Sequence, residues 1–311
     1  MHVLGIDAGG TKTVCLLADE KGRIIAEARG GGANLQSVGE LEVEKVLHGV
    51  MESALANHDI APSAICLGIA GVDRPADSQT IRGIMNRIGY KARTLVVNDA
   101  LVALQAGAGD QPGVVIVAGT GSIAYGRNRS AQAARAGGWG YLIGDEGGGF
   151  WIGRSAIASV VRQFDGRGPA TQLTELVLRH MGLRSPTELI HEIYYRDLHR
   201  RAIAGLAALV HQAANDGDAV AGQILARAGT ELATAAASVI ARLEMRGETF
   251  PTILAGGIFR GVPSLVRDVE TRLSEIAPRS VVHLLQVEPA VGAVSLALAA
   301  ARGEVTVPSY V

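Results

Sequence analysis

Twice in this chain an apolar strand runs into a glycine turn that leads straight into another strand. Val3 to Asp7 enters Ala8-Gly9-Gly10 and Thr13 to Ala18 leaves it; Gly113 to Ala118 enters Gly119-Thr120-Gly121 and Ser122 to Arg127 leaves it. Neither turn is one of the common nucleotide loops. A P-loop has Lys directly after its second glycine and opens a helix, whereas here Thr11 precedes Lys12 and a strand follows. The dinucleotide fingerprint also needs a helix after its glycines. A glycine hairpin can still hold phosphate, because glycine lets backbone N–H groups approach an anion closely. Thr11, Thr13, Thr120 and Ser122 add hydroxyl donors beside the glycines. Asp7, at a strand end, suits a Mg²⁺ ion held through water, since Mg²⁺ keeps much of its hydration. One such turn reads as an ordinary hairpin; two at matched places read as a pair built around one polyphosphate.

The rest of the chain fits that pairing. A third strand, Arg23 to Ala28, makes the N-terminus an antiparallel meander, followed by a loop from Gly30 to Asn34. Helical spacing covers 39–57, 78–88 and 100–108, alternating with strands at 64–70 and 93–97, and Asn98 or Asp99 stands at a capping position. The strand-turn-strand grammar then restarts at Gly113. Residues 151–246 read as mostly helical, with the clearest run from Asp218 to Met245. A strand at 252–255 ends in Gly256-Gly257, which is either a helix-entry turn or a flat platform for adenine. A helix at 264–276, a strand at 280–285 and a terminal helix at 289–302 complete the chain. Alternating strands and helices in both halves predict two α/β domains facing a cleft, residues 1–110 and 111–311, with the terminal helix packing back on the first.

Several function classes are excluded. Lys plus Arg number 29 against 30 Asp plus Glu, which argues against a nucleic-acid binder. The 40 glycines in 311 residues have no collagen period and lie among apolar runs, so they serve turns. Cys15 and Cys66 are too few for a zinc cluster and fall inside strands, which predicts reduced, buried thiols. The N-terminus lacks a signal-peptide pattern, and the longest unbroken apolar stretch, Ala290 to Ala301, is shorter than a bilayer span. A protein of the cytoplasm with no membrane partner is expected.

Six segments come in a telling order: G-I-D-A-G-G-T-K-T from Gly5, N-D-A at 98–100, V-A-G-T-G-S from Val117, G-G-W-G-Y-L-I-G-D-E-G-G-G at 137–149, L-A-G-G-I from Leu254 and P-A-V-G-A at 289–293. Together they resemble the actin/hexokinase-type ATPase superfamily, and within it the BadF/BadG/BcrA/BcrD ATPase family, on its N-acetylglucosamine kinase branch. The resemblance implies two ribonuclease H-like domains with a mixed sheet each, the second carrying a helical insertion. It implies ATP and Mg²⁺ as cofactors, an amino sugar as substrate and a homodimer.

By that resemblance Asp99 is the catalytic base, taking the proton of a sugar hydroxyl, at C6, as it attacks the γ-phosphate. Asn34, Gly138, Trp139 and Asp145, with Asp99, match the sugar-binding positions. Thr11 and Thr120 match phosphate contacts, within the turns Gly9, Gly10, Lys12, Thr13 and Gly119, Gly121, Ser122; Gly256 and Gly257 match the adenosine contact, and Asp7 the Mg²⁺-side acid. Lys12 reads as either a phosphate neutraliser or an exposed hairpin lysine. Ala70 departs from the pattern, because some relatives place a serine there near the acetamido group; glucosamine and N-acetylmuramic acid therefore stand beside N-acetylglucosamine. Two further alternatives are an ATPase activator of a 2-hydroxyacyl-CoA dehydratase, which needs cluster-ligating cysteines, and a non-catalytic sugar-responsive protein.

Overall fold

The computed structural model describes residues 1–72, 74–195 and 200–311. The first half comprises β1 (His2–Ala8), β2 (Thr13–Asp19), β3 (Ile24–Gly30), α1 (Leu35–Val38), α2 (Glu40–Leu55), β4 (Ala64–Ile69), α3 (Pro75–Ile88), β5 (Arg93–Asn98) and α4 (Asp99–Ala108). The second begins with β6 (Gly113–Ala118), β7 (Ser122–Arg127) and β8 (Gln132–Gly137). A helical region follows: α5 (Gly149–Phe164), α6 (Leu173–Met181), α7 (Leu189–Tyr194), α8 (Arg200–Gly205), α9 (Ala207–Asn215) and α10 (Ala219–Arg242). The chain closes with β9 (Phe250–Ala255), α11 (Gly257–Gly261), α12 (Pro263–Ile276), β10 (Ser280–Leu284), α13 (Ala290–Arg302) and β11 (Ser309–Tyr310).

The strands form two mixed sheets, an α/β fold. The first has the order β3-β2-β1-β4-β5 and the second β8-β7-β6-β9-β10, extended beyond β8 by β11. In both, the three meander strands pair antiparallel and the last two are parallel. The sequence predicts a glycine-rich link after β7, but the structure has β8 there. Its sequence, QAARAG, has no β-branched residue to mark it. Pairing with β7, with Tyr125 opposite Arg135, makes it a strand. With β8 in place the duplication is complete.

The closing helices are exchanged between the halves. α13 lies on β1, β4 and β2 of the first sheet, while α4 lies on β6, β7 and β9 of the second and also reaches β4. Between the sheets the two helices share one apolar core. It joins Val3, Val14 and Cys66 to Leu101, Leu104, Leu296 and Ala297, and these to Val115, Tyr125 and Ile253. The helices meet closely at Gly292: a Cβ there would lie 2.0 Å from the Val102 carbonyl oxygen and 2.6 Å from the Ala106 nitrogen. Buried Arg127 anchors the far end of α4. It donates to the Gln105 side-chain oxygen on the helix at 2.8 Å, to the carbonyl of Gly109, which caps the helix, and to Gln111 O in the turn that follows at 3.2 Å.

No unbroken apolar run predicts a spanning helix, yet α10 is long and apolar enough to cross a bilayer by length and composition. Half of its most apolar stretch is buried inside the molecule. Its stripe of Ala221, Leu225, Ala228, Leu232, Ala236 and Val239 has the spacing of a core-facing helix.

Cys15 and Cys66 flank β1 on opposite faces of the first sheet, Cys15 in the core under α2 and Cys66 in the core shared with α4 and α13. Both thiols are free and buried. Burial pushes Cys15 up to about 12 and Cys66 higher still. Neither is expected to react with iodoacetamide in the native protein at pH 8, and both to react in denaturant. Mass spectrometry of the labelled protein checks this, and rapid native labelling would contradict the burial.

Candidate active site

The parallel strands β1, β4 and β5 all end on one edge of the first sheet, which carries Asp7, Ala70 and Asp99. From Asp99, α4 runs away from that edge and β6 runs back. Ten helical residues cover about 15 Å and six strand residues about 20 Å, so the Gly119 turn returns to the side where Asp99 lies. Asn98 caps α4, its Oδ1 accepting from the Ala100 nitrogen at 2.7 Å; Asp99 Oδ1 receives the same N–H at 3.0 Å. Asn98 thus supplies the cap, and Asp99 stands half-exposed at the first position of the helix.

The first turn is closed by Gly9 N–H donating to Lys12 O at 3.0 Å, the second by Gly119 N–H donating to Gly121 O at 2.9 Å. In each turn the next two N–H groups, of Gly10 and Thr11 and of Thr120 and Gly121, donate to nothing among the described residues. The Thr11 and Thr120 hydroxyls are likewise unengaged there. The other two hydroxyls are engaged within the protein. Thr13 Oγ1 donates to Gly31 O at 2.8 Å and Ser122 Oγ to Glu146 O at 2.7 Å. Their protons brace the turns against neighbouring loops. The braced loops carry Asn34 after β3 and Asp145 after β8, at matching places in the repeat.

Asn34 lies beside the first turn through Ala33 N–H, which donates to Gly9 O at 3.0 Å, and its Oδ1 accepts from Ser37 Oγ at 3.0 Å. Asp145 has φ +62°, a left-handed conformation uncommon for a residue with a side chain. Its carboxylate accepts the N–H of Gly140, at 3.2 Å, and of Ser122. Burial raises its pKa against those two bonds. Gly138 N–H donates to Ser122 O at 2.9 Å. Trp139 is 64% exposed under the Arg135 guanidinium, 4.7 Å from its ring, whereas Trp151 is 7% exposed in the core. Gly256 has φ +104°, and its Cα lies so near the second turn that a Cβ would meet Ala118 O at 2.2 Å. Gly257 opens α11 beside it.

Asp7 is buried at the end of β1. Burial, then the Asp99 carboxylate, push its pKa up to about 8, with Glu288 adding and Lys12 opposing. A folded value above the ordinary carboxyl value near 3.8 means that the native state binds a proton which the unfolded chain has released. The ligand-free protein is therefore expected to lose stability as pH rises from about 4 to about 8 and to level off above. Asp7→Asn is expected to flatten that slope. Thermal melts of both proteins across the pH series check this; parallel slopes would refute it.

One residue absent from the sequence reading completes the cluster. Glu288, just before α13, accepts Lys12 Nζ at 2.7 Å and Arg29 Nη2 at 3.1 Å. Lys12 is thus held in an ion pair rather than standing free as a hairpin lysine.

The family model for the BadF/BadG/BcrA/BcrD ATPases matches residues 4–297. The chain belongs to this family. Like the curated sugar kinases to which it is similar, it is an ATP-using enzyme whose reaction is phosphoryl transfer to an alcohol. Among curated relatives it is 35% identical to an N-acetylmuramic acid/N-acetylglucosamine kinase of Clostridium acetobutylicum, over 95% of this chain and 98% of the relative. It is 33% identical to an N-acetyl-D-glucosamine kinase of Dictyostelium discoideum, over 95% and 97%. A solved structure from Chromobacterium violaceum, described as a candidate N-acetylglucosamine kinase, superposes with TM-score 0.78 at 28% identity, over 96% of this chain and 98% of that one. A ROK family glucokinase of Streptomyces griseus, solved with glucose and AMPPNP, shares the fold at TM-score 0.59 and 16% identity, over 96% and 98%.

Proposed function

We propose that this family member is an amino-sugar kinase that transfers the γ-phosphate of ATP to the 6-hydroxyl of N-acetylglucosamine. The observation that carries the reading is the convergence of Asp7 and Asp99 with two turns whose outer N–H groups and threonine hydroxyls are unengaged. Such donors suit phosphate oxygens. In this reading Asp99 accepts the hydroxyl proton, and Gly10, Thr11, Thr120 and Gly121 donate to the phosphates. Gly256 and Gly257 form the adenosine side. Asn34 and Asp145 bind sugar hydroxyls, with Gly138 and Trp139 beside the ring. The donor set also fits Mg²⁺, with Asp7 reaching it through water. When bound, Mg²⁺ would offset the negative charge of the phosphates. Residues 1–110 and 111–311 act as two lobes that close on the substrates and exclude water. The reading further takes the protein as a homodimer of the cytoplasm.

A second acceptor, N-acetylmuramic acid, is supported by the Clostridium relative, which is named for both sugars. Ala70 offers no side-chain hydroxyl and its N–H is spent on Ala8 O at 2.9 Å, so glucosamine stays in the comparison. An ADP-release assay with N-acetylglucosamine, N-acetylmuramic acid, glucosamine and glucose tests the assignment. Turnover is expected with the first two, and no sugar-stimulated ADP release from any of the four would overturn the kinase reading.

A further inference from the structure

Glu288 has no role in the reaction proposed above, yet its position calls for one. It lies in the short link between β10 and α13, far in sequence from the meander it touches. Its two carboxylate oxygens are divided between two cations, Oε2 taking Lys12 Nζ at 2.7 Å and Oε1 taking Arg29 Nη2 at 3.1 Å. Arg29 Nε also holds Glu27 at 2.5 Å, so the guanidinium is fixed from both sides. The Glu288 side chain is 24% exposed, and Lys12 and Arg29 together hold its carboxyl below the usual carboxylate range. A carboxylate this well paired is ionised at neutral pH.

Lys12 ends the first turn, and its own carbonyl accepts the Gly9 N–H that closes that turn. Left alone, its ammonium would sample many rotamers on a flexible stem. Pinned by Glu288, the ammonium of the turn's last residue is held in one place, near enough to Asp7 to oppose the rise of its pKa. A staple serving only to join β3 to the α13 link would need Arg29 alone, and would leave the turn lysine free.

We infer that Glu288 is a positioning residue for nucleotide binding, holding the Lys12 ammonium where the ATP polyphosphate enters the first turn. This rests on the kinase reading only for the identity of the acceptor; ATP binding itself can be read without any sugar. The first measurement is therefore titration of wild type and variants with a fluorescent ATP analogue in the presence of Mg²⁺. Glu288→Ala is expected to weaken nucleotide binding about tenfold, the scale of one charge-assisted hydrogen bond. Lys12→Ala is expected to do the same, and the double variant to be no worse than Lys12→Ala, because one function is lost once. Glu288→Gln keeps an acceptor for Lys12 and is expected to recover much of the loss. In steady-state assays the effect should fall on the KM for ATP rather than on the KM for the sugar or on kcat. A mere staple would instead lower the melting temperature in Glu288→Ala while leaving nucleotide affinity at the wild-type value. That result, or additive losses in the double variant, would overturn the inference. A wild type that binds the analogue but phosphorylates no sugar would overturn the kinase reading and leave this test standing.

Discussion

Asp99→Asn is expected to fold like the parent and to lose sugar-stimulated turnover by about 10²–10⁴-fold, the usual cost of removing a general base. Folding should survive because the helix keeps its cap: Asn98 receives the Ala100 N–H, and asparagine at 99 offers an oxygen where Asp99 offers one now. Turnover should not survive, because an amide cannot take the proton of an attacking hydroxyl. Nucleotide affinity is expected to stay near the parental value, since Asp99 lies beside the phosphate turns and not within them. ADP release, circular dichroism and nucleotide titration measured together separate these effects. Parental turnover in a folded variant would remove Asp99 from the mechanism, whatever the sugar is.

Gly292→Ala is expected to destabilise the protein strongly by adding a single methyl. Glycine to alanine inside a helix ordinarily gains roughly 0.5–1 kcal/mol. At Gly292 the sign reverses. The new methyl carbon would stand 2.0 Å from Val102 O on the neighbouring helix, and backbone atoms cannot rotate away. Either α4 or α13 must shift, at a cost of roughly 3 kcal/mol. That corresponds to a fall in melting temperature of roughly 5 °C for a chain of this length. Gly222→Ala on α10 is the matched control, since a Cβ there meets nothing within 4 Å; it should be neutral or slightly stabilising. Equal melting temperatures for the two variants would mean that the helices do not meet as closely as described.

What could be read from the residues was whatever a local rule enforces. The meander and its turns are legible because glycine and threonine recur between short apolar strands. α2, α4, α12 and α13 are legible from their apolar spacing. Trp139 is separable from Trp151 because four glycines surround one and an apolar helix holds the other. β8 is not legible, because alanine and arginine carry no strand preference and its form comes from pairing with β7. Among four similar hydroxyls, nothing in the sequence distinguishes Thr11 and Thr120, left open, from Thr13 and Ser122, spent on loop carbonyls. Glu288 meets Lys12 across 276 positions, a distance no motif spans. The contact at Gly292 is hidden for the same reason: a lone glycine in an alanine-rich helix looks like a tolerated weakness until its neighbour is known.

The exchange of α4 and α13 bears on how such a molecule can have arisen. Each half has its own sheet with the same order over five strands, yet the helix closing each half lies largely against the other's strands. A half-length chain of this plan could not bury its sheet by itself. It could do so only by receiving the final helix of a second copy while giving up its own, a swapped dimer with two-fold symmetry. Fusing the two copies then makes the exchange permanent within one polypeptide and frees the halves to diverge, one gaining α5 to α9. A chain severed between residues 110 and 111 should accordingly yield fragments that are insoluble when made singly and that reassemble when made together.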